Sequence, residues 1–238
     1  MLVEQVPRPV RLTSGACSER GRRSHNADAS AAHRDPATGG LAYAVADGIG
    51  DSEGSGHAAR LAARAAAREA AHVGAGRAVA AARAALEAWL PDDEHHRAGD
   101  AVLVTAALRL GGGFTVAWAG DARAYFWDGT ALTRLTTDQT VAEYFRSHGQ
   151  TPTERMEHVV TNSVRLSTPT TIGLAHAPAG RGRLVLTTDG VHKRLTPEGF
   201  RLVVAGAGDP GTTAALLVAT ALRAGGTDNA TALVVDVG

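Results

Sequence analysis

The 238-residue chain carries 24 Lys+Arg against 24 Asp+Glu, a formal net charge of zero at pH 7. That balance excludes the basic footprint of a nucleic-acid binder and the acidic tail of a solvating arm. With 44% apolar and 20% charged residues, the composition is that of a soluble globular protein, and the length fits one domain spanning 1–238.

The chain opens on MLVEQVPRPV, which places Glu4, Pro7 and Pro9 where a signal peptide needs an apolar stretch. No apolar run approaches the ~20 residues that cross a bilayer. Cys17 is the only cysteine, which excludes an internal disulfide and points to a reducing compartment. The expectation is a cytoplasmic monomer with no membrane or nucleic-acid partner. The first clear strand runs from Leu41 to Ala46 and ends in the turn-rich Asp47-Gly48-Ile49-Gly50-Asp51. An Ala/Arg-rich helix is predicted over about 56–72, with Arg60, Arg64 and Arg68 on its solvated face. A second helix is predicted from Arg77 to Leu90, stopping at Pro91. The polar stretch 92–99 reads as a loop in which His95 and His96 are solvent-exposed.

Four short apolar runs follow, 101–110, 114–119, 122–127 and 131–135, separated by Gly111-Gly112-Gly113, Gly120-Asp121 and Asp128-Gly129. Turn pairs at that spacing predict an antiparallel meander. Residues 141–148 read as a short helix, and 149–169 has no clean period. A variable flap is expected over about 140–170. A buried strand at 184–188 ends in Asp189-Gly190, a helix covers about 212–223, and a final strand runs from Ala230 to Val237. This order of elements predicts a layered α+β architecture.

The aspartates carry the chemical information. Asp47, Asp189 and Asp228 each lie at the edge of an apolar strand. There the sheet fixes a carboxylate in space while leaving it in contact with solvent. Asp-Gly alone is an ordinary turn dipeptide, but several such carboxylates meeting at one sheet edge suit hard divalent cations. The surrounding words are RRSHNAD (with Arg23 and Asp28), YAVADGIG, WAGDARAYFW (with Asp121), LVLTTDGV and GTDNATALVV. In this order, from about Thr13 to Val237, they resemble the metal-dependent protein phosphatase 2C family, in a bacterial type.

The resemblance implies a four-layer α-β-β-α sandwich of two antiparallel sheets flanked by helix pairs. It also implies a site for two divalent cations, Mn2+ or Mg2+, at one end. By that likeness Asp47 bridges both ions, the Gly48 carbonyl binds the second, and Asp189 and Asp228 complete the first. Asp28 holds water from behind, and Arg23 clamps the phosphate, with Arg22 as the alternative. The implied reaction is hydrolysis of phosphoserine or phosphothreonine in a phosphorylated protein, the product of a Ser/Thr kinase, by a metal-bridging hydroxide.

Several positions depart from the family's pattern. Ala27 stands where a glutamate steadies metal-bound water, a loss worth ~10–100-fold in activity or metal affinity. Ile49 replaces a histidine found in some members, while His25 and His57 read as surface residues. Lys193, the only lysine, stands where an aspartate helps Asp121 hold a third cation. A third site is therefore expected to be absent or weak, with an Asp121–Lys193 ion pair in its place. Thr105 matches a threonine near the metal waters but follows Leu103 and Val104, and His192 sits where a tryptophan often packs. Two alternatives fit the same residues, a catalytically weak regulatory module and a small-molecule phosphate esterase.

Overall fold

The computed structural model describes residues 11–89, 99–206 and 208–238. Most of the loop expected at 92–99, including His95 and His96, lies outside the described residues, as do the opening segment MLVEQVPRPV and the last residue of the helix expected to end at Leu90.

Among the described residues, ten strands form two antiparallel five-stranded sheets. In the first sheet, β1 (Leu12–Glu19) pairs with β10 (Ala230–Val237), followed by β9 (Gly182–Thr187), β6 (Arg123–Trp127) and β7 (Leu132–Arg134). In the second, the order is β2 (Asp28–Arg34), β3 (Leu41–Gly48), β4 (Ala101–Leu108), β5 (Phe114–Ala119) and β8 (Gly173–Ala177).

The period-2 pattern of the strands explains the layering. On β3, Tyr43 and Val45 face inward and meet Phe126, Leu184, Leu186 and Val235 of the other sheet. Ala42, Ala44 and Ala46 face outward against α1 (Glu53–Val73), whose buried stripe is Ala58, Ala59, Ala62, Ala63, Ala66 and Ala67. Alanine on both surfaces lets helix and sheet approach closely, so a core poor in aromatics still buries this face fully. α2 (Ala78–Ala88) joins α1 on this side through Val79 and Leu86. On the opposite side, α5 (Pro197–Ala205) and α6 (Pro210–Arg223) bury Phe200, Leu217 and Val218 against Tyr125, Val185 and Val234. The result is the expected four-layer α-β-β-α sandwich.

The structure corrects several element assignments. The four runs after residue 100 are not one meander. β4 and β5 belong to the second sheet, β6 and β7 to the first, and the chain changes sheet at Gly120-Asp121. Gly120 has φ 96°, a backbone region that favours glycine. β1, β2 and β8 have no strand signal in the sequence because all are edge strands, where polar and small residues suffice. α5 has no assignment in the sequence reading; Thr196 and Pro197 start it as a helix, with the Thr196 hydroxyl accepting from the Gly199 N–H. α1 begins at Glu53 because Ser52 caps it, and α6 begins at Pro210 because Asp209 does.

Two polar clusters hold the layers in register. Arg183 on β9 is 8% exposed and grips both oxygens of Asp236 on β10, at 2.6 and 2.9 Å. Its remaining N–H groups donate to the carbonyls of Val204, Gly206 and Gly208 and to the Thr213 hydroxyl. Arg183→Leu leaves those acceptors unpaired and is expected to cost ~3 kcal/mol or more in urea unfolding. A loss under ~1 kcal/mol would show that water replaces the guanidinium.

Asp35, in the β2–β3 turn, accepts from the Ala37 and Thr38 N–H groups and lies 2.5 Å from His72 Nδ1 near the end of α1. These partners, the Ala37 bond first, hold its carboxyl below the usual range. A carboxyl lowered on folding contributes stability above its unfolded pKa of ~3.9 and loses it as pH falls through the folded value. The destabilisation caused by Asp35→Asn is therefore expected to be full above pH ~5 and to shrink toward pH ~2. A pH series of urea midpoints for both proteins measures it.

Candidate active site

Antiparallel pairing brings the strand-end aspartates to one end of the sandwich. Asp28 opens β2 and lies directly opposite Asp47, near the end of β3. Asp121 sits in the turn between β5 and β6. Asp189 begins the single-turn helix α4 (Asp189–His192) just after β9, and Asp228 lies in the loop before β10. Asp47, Asp121, Asp189 and Asp228 line one open cleft of about 400 Å³, together with Gly48, Ile49 and Arg23.

The glycines after Asp47 and Asp189 are needed for close packing. A side chain at Gly190 would meet the Asn229 carbonyl at 1.9 Å, and one at Gly48 the Ser55 carbonyl at 2.2 Å. Both turns are thus pressed against neighbouring backbone, which fixes the carboxylates they carry.

The electrostatics of this cleft are strained in one direction. Burial, then the charges of Asp28, Asp189, Asp121 and Asp228, push the Asp47 carboxyl well above the ordinary range. Burial pushes Asp28 up to about 7, against the hydrogen bond it accepts from the Thr188 hydroxyl at 2.8 Å. Asp28 Oδ1 is buried with no hydrogen-bond partner. A carboxylate-rich cleft with an unpartnered buried oxygen suits hard cations, whose charge would stabilise the ionised forms.

Two protein cations already engage the carboxylates. Arg23 Nη2 donates to Asp228 Oδ2 at 2.7 Å across a partly exposed contact. Lys193 Nζ donates to Asp121 Oδ2 at 2.6 Å, to Asp189 Oδ2 at 3.0 Å and to the Glu157 carbonyl at 2.7 Å. The Asp121–Lys193 ion pair expected from the sequence is therefore present, with Asp189 as an additional partner. Among the described residues, no three carboxylates converge on a common coordination point. Their mutual repulsion, with Arg23 drawing Asp228 aside and Lys193 drawing Asp121 and Asp189, accounts for that spread.

Other expected residues fall differently. Thr105 is fully buried and donates its hydroxyl to the Tyr43 carbonyl at 3.0 Å. It lies three register pairs from the Asp47–Val102 pair and outside the cleft lining. His57 is half-buried and stacks on Trp89 with ring centroids 4.5 Å apart, so it is not a free surface histidine. His25 is exposed. Arg23 rather than Arg22 lines the cleft; Arg22 contributes a backbone N–H to the Thr227 carbonyl.

Sequence reasoning missed several residues of the cleft lining, among them Asn229, His158 and Val160. Asn229 accepts from the Ala27 N–H at 2.8 Å and donates to the Arg20 and His25 carbonyls. It thereby ties the segment carrying Arg23 to the loop carrying Asp228, and its place in the word GTDNATALVV was the available signal. His158 and Val160 reach the cleft from the irregular segment, where no local pattern marks them.

Comparison with known proteins bears on this geometry. No curated protein sequence matches the chain. A serine/threonine phosphatase from Staphylococcus aureus shares the fold at 16% identity and a TM-score of 0.81, over 96% of this chain and 96% of its own. The PPM Ser-Thr phosphatase from Mycobacterium smegmatis, solved in complex with cacodylate, is similar at 26% identity and a TM-score of 0.76, over 95% of this chain and 98% of its own. The catalytic domain of the phosphatase PstP, solved with two manganese ions, is similar at 25% identity and a TM-score of 0.79, over 96% and 99% of the two chains. The family profile described as Protein phosphatase 2C matches residues 17–210. The chain belongs to the protein phosphatase 2C family.

Proposed function

We propose that this chain is a divalent-cation-dependent phosphatase of phosphoserine and phosphothreonine in proteins, using two Mn2+ or Mg2+ ions. The observation that carries this reading is the meeting of Asp47, Asp189 and Asp228 in one cleft with Arg23 at its side. Asp47, the Gly48 carbonyl, Asp189 and Asp228 would hold the ions. When bound, such ions supply Lewis acidity, lowering the pKa of water from 15.7 toward ~7 and neutralising phosphate charge.

The chain's own residues do the rest. Asp28, behind Asp47, orients water through its unpartnered Oδ1. Arg23 binds the phosphate by its guanidinium fork, exchanging Asp228 for a phosphate oxygen. Arg23→Ala is expected to raise KM ~10–100-fold, the worth of one or two charge-assisted hydrogen bonds. An unchanged KM in steady-state kinetics on a phosphopeptide would remove Arg23 from that role.

The segment 140–170 acts as a flap. α3 (Val141–Ser147) is capped by Thr140, and an isolated bridge joins Thr140 to Val160. His158 and Val160 thereby come to the cleft's side, where they would meet the substrate. With the Lys193 ammonium bound to Asp121, a third cation is not held. The substrates are products of a Ser/Thr kinase, and the enzyme acts as a cytoplasmic monomer in one domain spanning 1–238. No helix among the described residues is long and apolar enough to cross a membrane.

Phosphoserine and phosphothreonine peptides are expected to be hydrolysed with manganese, with activity abolished by chelator and restored by added manganese. Equal or faster hydrolysis of small phosphate esters would favour the small-molecule reading. No turnover of any substrate despite bound manganese would favour a regulatory role.

A further inference from the structure

On the side of the first sheet that carries α5 and α6, a second cavity of about 390 Å³ opens between β6, β7, α4 and α5. It shares no lining residue with the acidic cleft. One wall is aromatic: the Tyr125 and Phe200 rings stack with centroids 4.7 Å apart. Leu132 extends the apolar surface. The volume lies within the range of small-molecule sites.

Three guanidinium groups stand at this cavity, and their charges are unevenly matched. Arg123 is held by both oxygens of Asp138, at 2.8 and 2.5 Å. Arg201 is held by both oxygens of Glu198, at 2.8 and 2.6 Å. Arg134 approaches Asp138 only at 4.0 Å, and its side chain is 35% exposed. Two carboxylates against three guanidiniums leave one positive charge, centred on Arg134.

His192 adds a polar group that the fold itself does not use. The residue is 6% exposed; its Nδ1 lies 2.9 Å from the Thr187 hydroxyl, and its Nε2 has no partner. Burial, with Arg123 and Lys193 nearby, keeps the ring neutral. A buried ring nitrogen left unpaired is costly unless a ligand atom or water meets it.

We propose that this cavity binds a small organic anion: a flat aromatic ring system against Tyr125 and Phe200, a single carboxylate at Arg134, and a polar atom near His192 Nε2. A net of one uncompensated charge selects a monoanion over a phosphate dianion. The aromatic wall selects a ring over an inorganic ion.

The test uses the full chain kept metal-free with chelator, so that its outcome does not depend on the phosphatase reading. The probes are 2-naphthoate and its uncharged amide, titrated by protein-observed NMR. The naphthoate is expected to bind with Kd of ~10⁻³–10⁻⁴ M, as its heavy-atom count allows. It should shift the ring resonances of His192 and outbind the amide by ~10-fold. Arg134→Glu, at a partly exposed position, is expected to weaken naphthoate ~10-fold or more while leaving amide binding within about twofold. Leu132→Trp, which fills the cavity from its half-exposed side, should block both probes. Equal affinity for naphthoate and amide, indifference to Arg134→Glu, or no binding up to ~5 mM would overturn the proposal.

Discussion

Asp47→Asn is expected to lower phosphopeptide hydrolysis by ~10³-fold or more, the equivalent of ~4 kcal/mol of transition-state stabilisation. Asp47 is the carboxylate on which Asp28, Asp121, Asp189 and Asp228 all bear, and the amide removes the charge that would hold the cations together. The same substitution is expected to leave the metal-free protein as stable or more so. In the absence of cations the Asp47 charge is repelled by four neighbours, so neutralising it relieves strain. Kinetics with manganese, paired with urea unfolding in chelator, read both effects. Retained activity, or a metal-free protein that unfolds more easily, would argue that Asp47 serves the fold rather than the reaction.

The largest expected effect on stability at the site belongs to Lys193. Its side chain is 13% exposed, and its ammonium faces Asp121, whose side chain is 6% exposed. Lys193→Met removes one partner of a buried pair and strands the other, a change that costs ~3–5 kcal/mol in comparable buried pairs. It also releases the Glu157 carbonyl, and with it one of the ties holding the turn at Glu154–His158 beside the cleft. In metal-free buffer the variant is expected to unfold at a markedly lower urea concentration, with faster proteolysis within 150–160. Lys193→Arg, which keeps the charge, should recover part of the loss. A destabilisation below ~1 kcal/mol would mean that Asp121 is neutral in the folded protein or solvated in another way.

Legibility in the sequence followed burial and locality. The α1 helix, with arginines on one face and alanines on the other, and β3, β4 and β10, with continuous apolar runs, could be recognised because one local pattern encodes their environment. The edge strands β1, β2 and β8 could not, since pairing on one side alone places little demand on composition. α5 went unassigned for a different reason: the β-branched Val203 and Val204 weaken its local helical signal, and the helix exists because Thr196 and Pro197 start it and Phe200 anchors it to Tyr125. The jump between sheets at Gly120 is a tertiary fact that turn chemistry does not reveal.

At the site, Asp47, Asp189 and Asp228 were readable because each sits at the edge of a strand. So was the Lys193–Asp121 pair, from a lysine standing where the family's pattern has an aspartate. Thr105 lies outside the cleft lining, and a matching residue type does not disclose that the Tyr43 carbonyl takes its hydroxyl. Asn229 and His158 act through partners distant in sequence, about 200 residues for the Asn229–Ala27 bond, and local reading has no access to such pairs.

An anomalous-scattering map from crystals grown with manganese bears most directly on the shared carboxylate site. Two peaks are expected, with oxygens of Asp47 within ~2.6 Å of both and oxygens of Asp189 and Asp228 reaching one of them. Peaks that Asp47 does not touch, or Asp189 and Asp228 still paired with Lys193 and Arg23 at saturating manganese, would contradict it.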